Sequence, residues 1–444
     1  LVNVLTTFSR ITILAYIIIF TVIDMIQIFE YRLNETVSSI LSTIQTVMIV
    51  LFLCNSSIVL YFSKDDPRII GLLIFQLMFF VGFGLLINTI TIPVSRALMN
   101  NIMLLLCFSF VFLERLNMDR AIRQFVFAVV SLGVCALAVF ILRKIPGINR
   151  FMMVFAVLGV LSLMLVSLLG KVEYGAKLSL TFGSISIQPS EFVKLSYLFF
   201  IAGCIVTWKD FRGFLIAGIG AAVHVLVLVF SRDLGTALIF LATYVFLIFI
   251  AYKNYLVLLI EILVASIGGI FAYSYFPHIR TRFIAWTDPL SVVDDKGYQI
   301  SQSLFAIGTG GWLGSGLNKG MPNKIPVVVK DFIFAAISEE MGTIVAICLI
   351  LIYMCTCIMI FNVAFNCTYS FYMLVVSGFG IIFTVQTILN IGGVIKFIPS
   401  TGVTLPLISY GGSSLLSMML GIFICQCSED LWTMPEKHSR RARY

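Results

Sequence analysis

The chain has 444 residues, 60% of them hydrophobic and only 11% charged, with a mean hydropathy of +1.07. Soluble domains carry about 25% charged residues, so the composition excludes a soluble globular protein and implies an all-α polytopic membrane protein. The formal net charge of +8 does not point to nucleic acid, because much of it sits in short loops and in the tail Lys437 to Tyr444, as the positive-inside bias dictates.

Apolar windows of about twenty residues, enough to cross a bilayer as a helix, recur along the whole chain. In order they cover 11–30, 41–62, 70–91, 97–113, 122–142, 151–170, 191–207, 213–230, 234–251, 255–276, 331–361, 370–391 and 405–427. The N-terminus opens LVNVLTTFSR and its first run is long enough to span, so it reads as a retained helix rather than a secretory signal. The 331–361 run is long enough to tilt or to begin above the bilayer. Ten cysteines fall mostly inside these runs, where they act as small hydrophobes. None shows metal-ligand spacing with a nearby histidine.

Basic residues orient the spans. Arg143, Lys144 and Arg150, then Lys209 and Arg212, then Lys253, then the tail all fall on one side if the spans alternate, which makes that side cytoplasmic. The 171–190, 277–330 and 392–404 loops then face outward, as does the N-terminus. Arg115 and Arg120 conflict with this orientation, offset by Glu114 and Asp119.

Between the tenth and eleventh runs the chain leaves the apolar register for about fifty residues, gathering His278, Arg280, Arg282, Asp288, Asp294, Asp295, Lys296, Lys319, Lys324 and Lys330. A membrane protein keeps polar mass of this size where it meets water, a ligand or a partner. Three shorter segments put polar groups at membrane depth. In Gln188–Lys194, proline opens a helix and Ser190 or Glu191 caps it, while Lys194 needs a partner. In Ser231–Thr236, Asp233 is either an N-cap or, with Arg232, a buried polar site. In Ile398–Ser414, the small residues around Thr401, Ser409, Gly411, Gly412 and Ser413 either allow close helix contact or offer hydroxyls and N–H groups to a phosphate or sugar. His224, alone in an apolar run, reads as a helix–helix hydrogen-bonding residue.

These pieces together resemble the SEDS proteins, the FtsW/RodA/SpoVE family of integral-membrane peptidoglycan glycosyltransferases. The resemblance rests on QPSEFVKL at 188–195, DLGTA at 233–237, GYQISQSLFAIGTGG at 297–311, DFIFAAISEEMG at 331–342 and TGVTLPLISYGGSS at 401–414. It implies a ten-helix core over residues 97–427, with 1–96 as about three additional transmembrane helices and 428–444 as a basic cytoplasmic tail. It also implies an inverting polymerase of lipid II, the undecaprenyl-pyrophosphate-linked precursor, lengthening a glycan strand at the outer face of the bacterial cytoplasmic membrane, in division, elongation or sporulation. Its partner would be a class B penicillin-binding protein. Membrane lipid surrounds it, and no nucleic acid is expected.

That chemistry needs a carboxylate to take the acceptor proton and positive charge for the departing pyrophosphate, from Lys/Arg or a divalent cation such as Mg or Mn; no organic cofactor is implied. The catalytic candidates are Asp294, then Asp295, then Asp288. Substrate-binding candidates are Ser190, Glu191, Lys194, Arg232, Asp233, Arg280, Lys324, Asp331, Glu339, Glu340, Lys396, Thr401, Ser409, Gly411, Gly412 and Ser413. No residue is assigned to a metal. Of Glu339 and Glu340, at least one is expected to face a cavity, and Gly308 to Gly316 to let the backbone approach a bulky lipid-sugar. The sequence departs from the family where a second acid is expected six residues before Tyr298: that position is Val292. Two rival readings therefore stand beside the enzyme, a flippase for lipid II and a catalytically silent scaffold for a penicillin-binding protein.

Overall fold

The computed structural model describes residues 2–29, 35–90, 95–145, 147–173, 176–182, 185–208, 210–295 and 297–441. Lys209, Lys296 and the last three residues of the basic tail lie outside the described residues. The helices are α1 (Val2–Phe29), α2 (Glu35–Lys64), α3 (Arg68–Ile90), α4 (Arg96–Leu116), α5 (Met118–Lys144), α6 (Met152–Leu169), α7 (Pro189–Thr207), α8 (Phe211–Phe230), α9 (Leu234–Tyr252), α10 (Tyr255–Tyr275), α11 (Pro277–Thr287), α12 (Tyr298–Gly310), α13 (Ile333–Met341), α14 (Thr343–Asn366), α15 (Ser370–Val394) and α16 (Gly412–Arg441). Twelve helices among the described residues are long and apolar enough to cross a membrane, and Gly412–Ser428 adds a shorter apolar one. The protein is an all-α polytopic membrane protein because helices satisfy every backbone N–H and C=O within the segment, which hydrocarbon demands.

Three expectations need correction. The 331–361 run is not one span: it breaks at Gly342 into α13 and α14. Gly342 has a left-handed φ of 90°, and a Cβ there would collide with the backbone of Leu313 and Gly314, so only glycine fits both the turn and the approach. Helix α16 begins at Gly412 rather than near residue 405. The 171–190 loop holds an antiparallel three-stranded sheet, β1 (Lys171–Glu173), β2 (Ala176–Phe182) and β3 (Ile185–Ile187), in the order β1-β2-β3.

The chain divides into two compact units. The first comprises Leu1–Leu132, Thr281–Met359 and Thr387–Gly411. Its axis is α4, buried along nearly its whole length. Helix α2 packs on α1, α3 and α4, while α13 packs on α4 and α12. All nine residues of α13 are buried. The second unit comprises Gly133–Arg280, Ile360–Gln386 and Gly412–Tyr444. Helix α7 is among its most buried spans and touches α6, α8, α9 and α16. Helix α10 contacts α9, and none of its residues is buried.

Candidate active site

In the first unit, irregular backbone at 395–411 is held by side chains donated from neighbouring helices, the condition under which non-helical chain survives at membrane depth. Asn390 of α15 donates through Nδ2 to Asp331 O at 2.9 Å and Val403 O at 2.7 Å. Gln124 of α5 donates to Ser409 O at 3.2 Å and accepts from Gly411 N at 3.2 Å. Tyr353 OH donates to Pro406 O at 2.6 Å. Ser409 Oγ donates to Lys330 O and accepts from Leu405 N at 2.9 Å. Ser409 and Gly411 therefore fasten the loop.

Asp331 stands just ahead of α13, within reach of this loop. A Cβ on Gly402, whose φ is 74°, would lie 3.6 Å from Arg282 Nη2 and 3.8 Å from Asp331 Oδ2, so guanidinium, carboxylate and loop backbone meet there. Arg282 Nη1 also donates to Ser400 O at 3.0 Å. Asp331 keeps some surface, but dense surroundings strip its solvation and raise its pKa to about 6, with Lys330 and Arg282 opposing the rise. The Thr401 hydroxyl and Asn390 Oδ1 are buried with no partner among the described residues, leaving polar capacity beside Asp331. Lys396 is half-buried with a φ of 62°, and its carbonyl accepts from Trp286 Nε1 at 3.2 Å.

The three catalytic candidates lie on a tight turn ahead of α12. Asp288, Asp294 and Asp295 are all exposed. Asp288 Oδ1 accepts from Ser291 N at 3.3 Å, and Gly297 N closes the turn onto Val292 O at 2.8 Å. Lys324 is also exposed.

Glu339 and Glu340 are both buried, and Glu339 Oε2 has no partner among the described residues. Glu340 Oε1 is paired with Arg115 Nε at 2.8 Å, and its Oε2 accepts from Asn318 N at 3.0 Å. Glu339 Oε1 accepts from Met321 N at 2.8 Å. Their carbonyls accept from Ser315 N and Gly316 N, each at 2.9 Å. Backbone at Gly310 and Gly314 presses directly on residues 338–341. Gly310 and Gly314 thus bring the chain against α13, where the two acids hold it, while Gly308 and Gly311 have open space where a Cβ would sit.

In the second unit, Lys194 Nζ meets Glu191 Oε2 at 2.8 Å, one turn apart on α7, with both side chains buried. Gln386 Oε1 accepts from Lys194 at 2.8 Å, and Ser417 Oγ donates to Glu191 at 3.2 Å. Each charge thus has a polar partner besides the other, which is what makes two charges tolerable within a span. Asp233 caps α9 by accepting from Thr236 N at 3.2 Å, and Ser190 Oγ donates to it at 3.5 Å. Burial raises the Asp233 pKa, with Thr236 opposing and Glu191 adding to the rise. Ser413 Oγ accepts from Gln188 N at 3.1 Å, and Gly412 opens α16. Arg232 is exposed, not part of a buried site, with a left-handed φ of 62°. Arg280 donates to Tyr273 O at 3.2 Å and Ser274 O at 2.7 Å. It covers carbonyls at the end of α10 as a helix cap. His224 bonds within its own helix, to Gly220 O at 2.7 Å, rather than between helices.

Sequence reading missed Gln124, Gln386, Asn390 and Ser417. The available signal was an amide or hydroxyl isolated in an apolar span, where such a group must find a partner. No group of three or more His, Cys, Asp or Glu side chains converges among the described residues.

A family model described as cell cycle protein (FtsW/RodA/SpoVE) matches residues 89–428. The peptidoglycan glycosyltransferase RodA of Mycobacterium leprae is 33% identical over 313 residues, 67% of each chain. A probable peptidoglycan glycosyltransferase FtsW of Aliivibrio salmonicida is 32% identical over 292 residues, 62% of this chain and 72% of that one. Among solved structures, a chain of a peptidoglycan synthase complex described as coordinating polymerization and crosslinking superposes with a TM-score of 0.64 at 23% identity. The rod shape determining protein RodA of Thermus thermophilus gives 0.58 at 23% identity. Both alignments cover 77% of this chain and 99% of the other.

Proposed function

The chain belongs to the FtsW/RodA/SpoVE family, and from that premise we propose that it is a peptidoglycan glycosyltransferase polymerising lipid II at the outer face of the cytoplasmic membrane. The observation that carries this reading is the extent of the family match. Residues 89–428 contain every polar element described above, from Glu191 and Lys194 to Asp331 and the 401–413 loop.

A hydroxyl of the acceptor sugar attacks the anomeric carbon of the donor, and the lipid pyrophosphate departs. One displacement at an α-linked pyrophosphate gives a β-linked strand, so the enzyme inverts. Asp294 takes the hydroxyl proton; its exposure lets a bulky lipid-sugar reach it, and Asp295 is its nearest substitute. Arg282, aimed by Asp331 and Ser400 O, supplies N–H donors and positive charge to the leaving pyrophosphate, with Lys330 adding to the field. Lys396 and Thr401 are assigned further contacts in the first unit; in the second unit, Glu191, Lys194, Ser190, Asp233 and Ser413 keep the substrate assignment that the family resemblance implies. The fold likeness to a synthase-complex subunit supports a crosslinking transpeptidase, a class B penicillin-binding protein, as partner.

Val292, standing where the family carries an acid, favours one alternative: a scaffold that binds the transpeptidase without polymerising. Purified full-length protein supplied with lipid II decides. Growth of glycan strands, lost on Asp294→Ala, supports the polymerase. Transpeptidase binding without growth supports the scaffold, and movement of labelled lipid II across liposomes without growth supports a flippase.

A further inference from the structure

The family match begins at residue 89, which leaves α1 and α2 and nearly all of α3 outside it. Yet these helices are tied to the matched part of the first unit at several places. Lys64, the last residue of α2, donates to Glu114 O at 2.8 Å and Arg115 O at 2.6 Å. Those are carbonyls that the end of an α-helix leaves without intrahelical partners, and a cation there also opposes the helix dipole. Arg115, so fixed, reaches Glu340 and donates to Gly320 O at 3.1 Å. Arg10 of α1 donates to Leu313 O at 2.9 Å, beside the close approach to Gly342. Deeper in the unit, buried Asp24 of α1 accepts from Asn101 of α4 at 2.9 Å, and Asn101 also donates to Thr356 of α14 at 3.2 Å. An acid buried in a span, held this way, fixes α1 against two core helices.

We infer that the N-terminal helices are a brace for the 311–321 run and α13, with Lys64 and Arg10 as its positioning residues. Arg10 ends on the segment that Glu339 and Glu340 also grip, Lys64 ends on the α4 terminus from which Arg115 reaches that segment, and α13 in turn carries Asp331 at its N-terminal approach. The catalytic consequence rests on the polymerase reading; the brace itself does not.

Amide hydrogen exchange on the full chain tests it. In Lys64→Met and in Arg10→Ala, the amides of Ser315, Gly316, Asn318 and Met321 should exchange about tenfold faster or more, the factor expected for losing one charged hydrogen bond. Lys64→Arg should restore protection, and the amides of α7 should not change. Strand growth, where the wild type shows it, should slow in Lys64→Met and recover in Lys64→Arg. Unchanged exchange at 315–321 in both variants overturns the brace. Arg10 is half-exposed at the chain's edge, so Arg10→Ala keeps the test decisive if Lys64→Met fails to fold. A wild type that polymerises nothing leaves the exchange result standing and removes the polymerase reading alone.

Discussion

Two stretches of the same polar segment treat their charges in opposite ways. At 288–295 the carboxylates of Asp294 and Asp295 project from a closed turn into solvent. At 310–321 the backbone lies on α13, its amides bonded to Glu339 and Glu340, with Arg115 closing the arrangement. Glu340, bonded to an amide and a guanidinium at its two oxygens, has committed its acceptor capacity to the fold; an exposed carboxylate is available to a substrate. The same chemical group thus fastens the chain in one stretch and is open to chemistry in the other.

The largest effect should come from the exposed side. Removing a general base costs about 100- to 10,000-fold in rate, so Asp294→Ala should abolish most strand growth from lipid II. Its melting temperature should barely move, since exposed substitutions stay within about ±0.5 kcal/mol. Loss in Asp295→Ala instead would shift the base by one residue. Full activity in both would remove the polymerase assignment of this turn.

The tied side should answer in stability. Arg115→Met strands the Glu340 carboxylate in a site where it is fully buried, and breaking such a pair costs about 3–5 kcal/mol. Thermal unfolding in detergent should show a large drop. Replacing both residues by methionine should recover part of it, because a buried pair is held together largely by the cost of separating it. A single variant as stable as wild type would contradict the structural role given to Glu340.

Asp331 lies between these extremes, and pH separates its two consequences. Its folded pKa, about 6, is raised above the usual carboxylate value of about 3.9. The native state therefore holds a proton that the unfolded chain releases, and stability falls as pH rises through that window. Activity should move the other way, rising toward pH 6 as the ionised carboxylate aligns Arg282. Asp331→Asn should flatten both slopes, read by melting curves and by strand growth from pH 4 to 8. A slope in activity that survives the substitution assigns it to another group.

Much of this architecture is legible in the amino-acid sequence itself. Each apolar run has its helix, because length and hydropathy alone decide what can cross a bilayer. The need of Lys194 for a partner is equally plain there, and Glu191 sits one turn away. What escapes a sequence reading depends on neighbours distant along the chain. Gly342 looks ordinary within a long apolar run until Leu313 and Gly314 arrive against it. Glu339 and Glu340 read as cavity acids because nothing local shows that amides 318 and 321 will fold back onto them. The alternation Lys177-Leu178-Ser179-Leu180-Thr181-Phe182 carries the period of a strand, and that signal is present but weaker than its loop setting.

Arg280 and Arg282 give the smallest and sharpest test of the distinction between tied and available charge. Both belong to the cationic set that composition alone offers to the pyrophosphate, two residues apart on α11. Arg280 commits its guanidinium to the Tyr273 and Ser274 carbonyls, so Arg280→Ala should cost about 0.3–1 kcal/mol, the range for a cation at an exposed helix C-terminus. Turnover should stay near wild type. Arg282→Ala removes the donors set beside Asp331 and Gly402 and should depress turnover strongly at little cost in folding. If the two alanine variants lose activity equally, the guanidinium on α10's carbonyls is not merely a cap, and Arg280 returns to the substrate site.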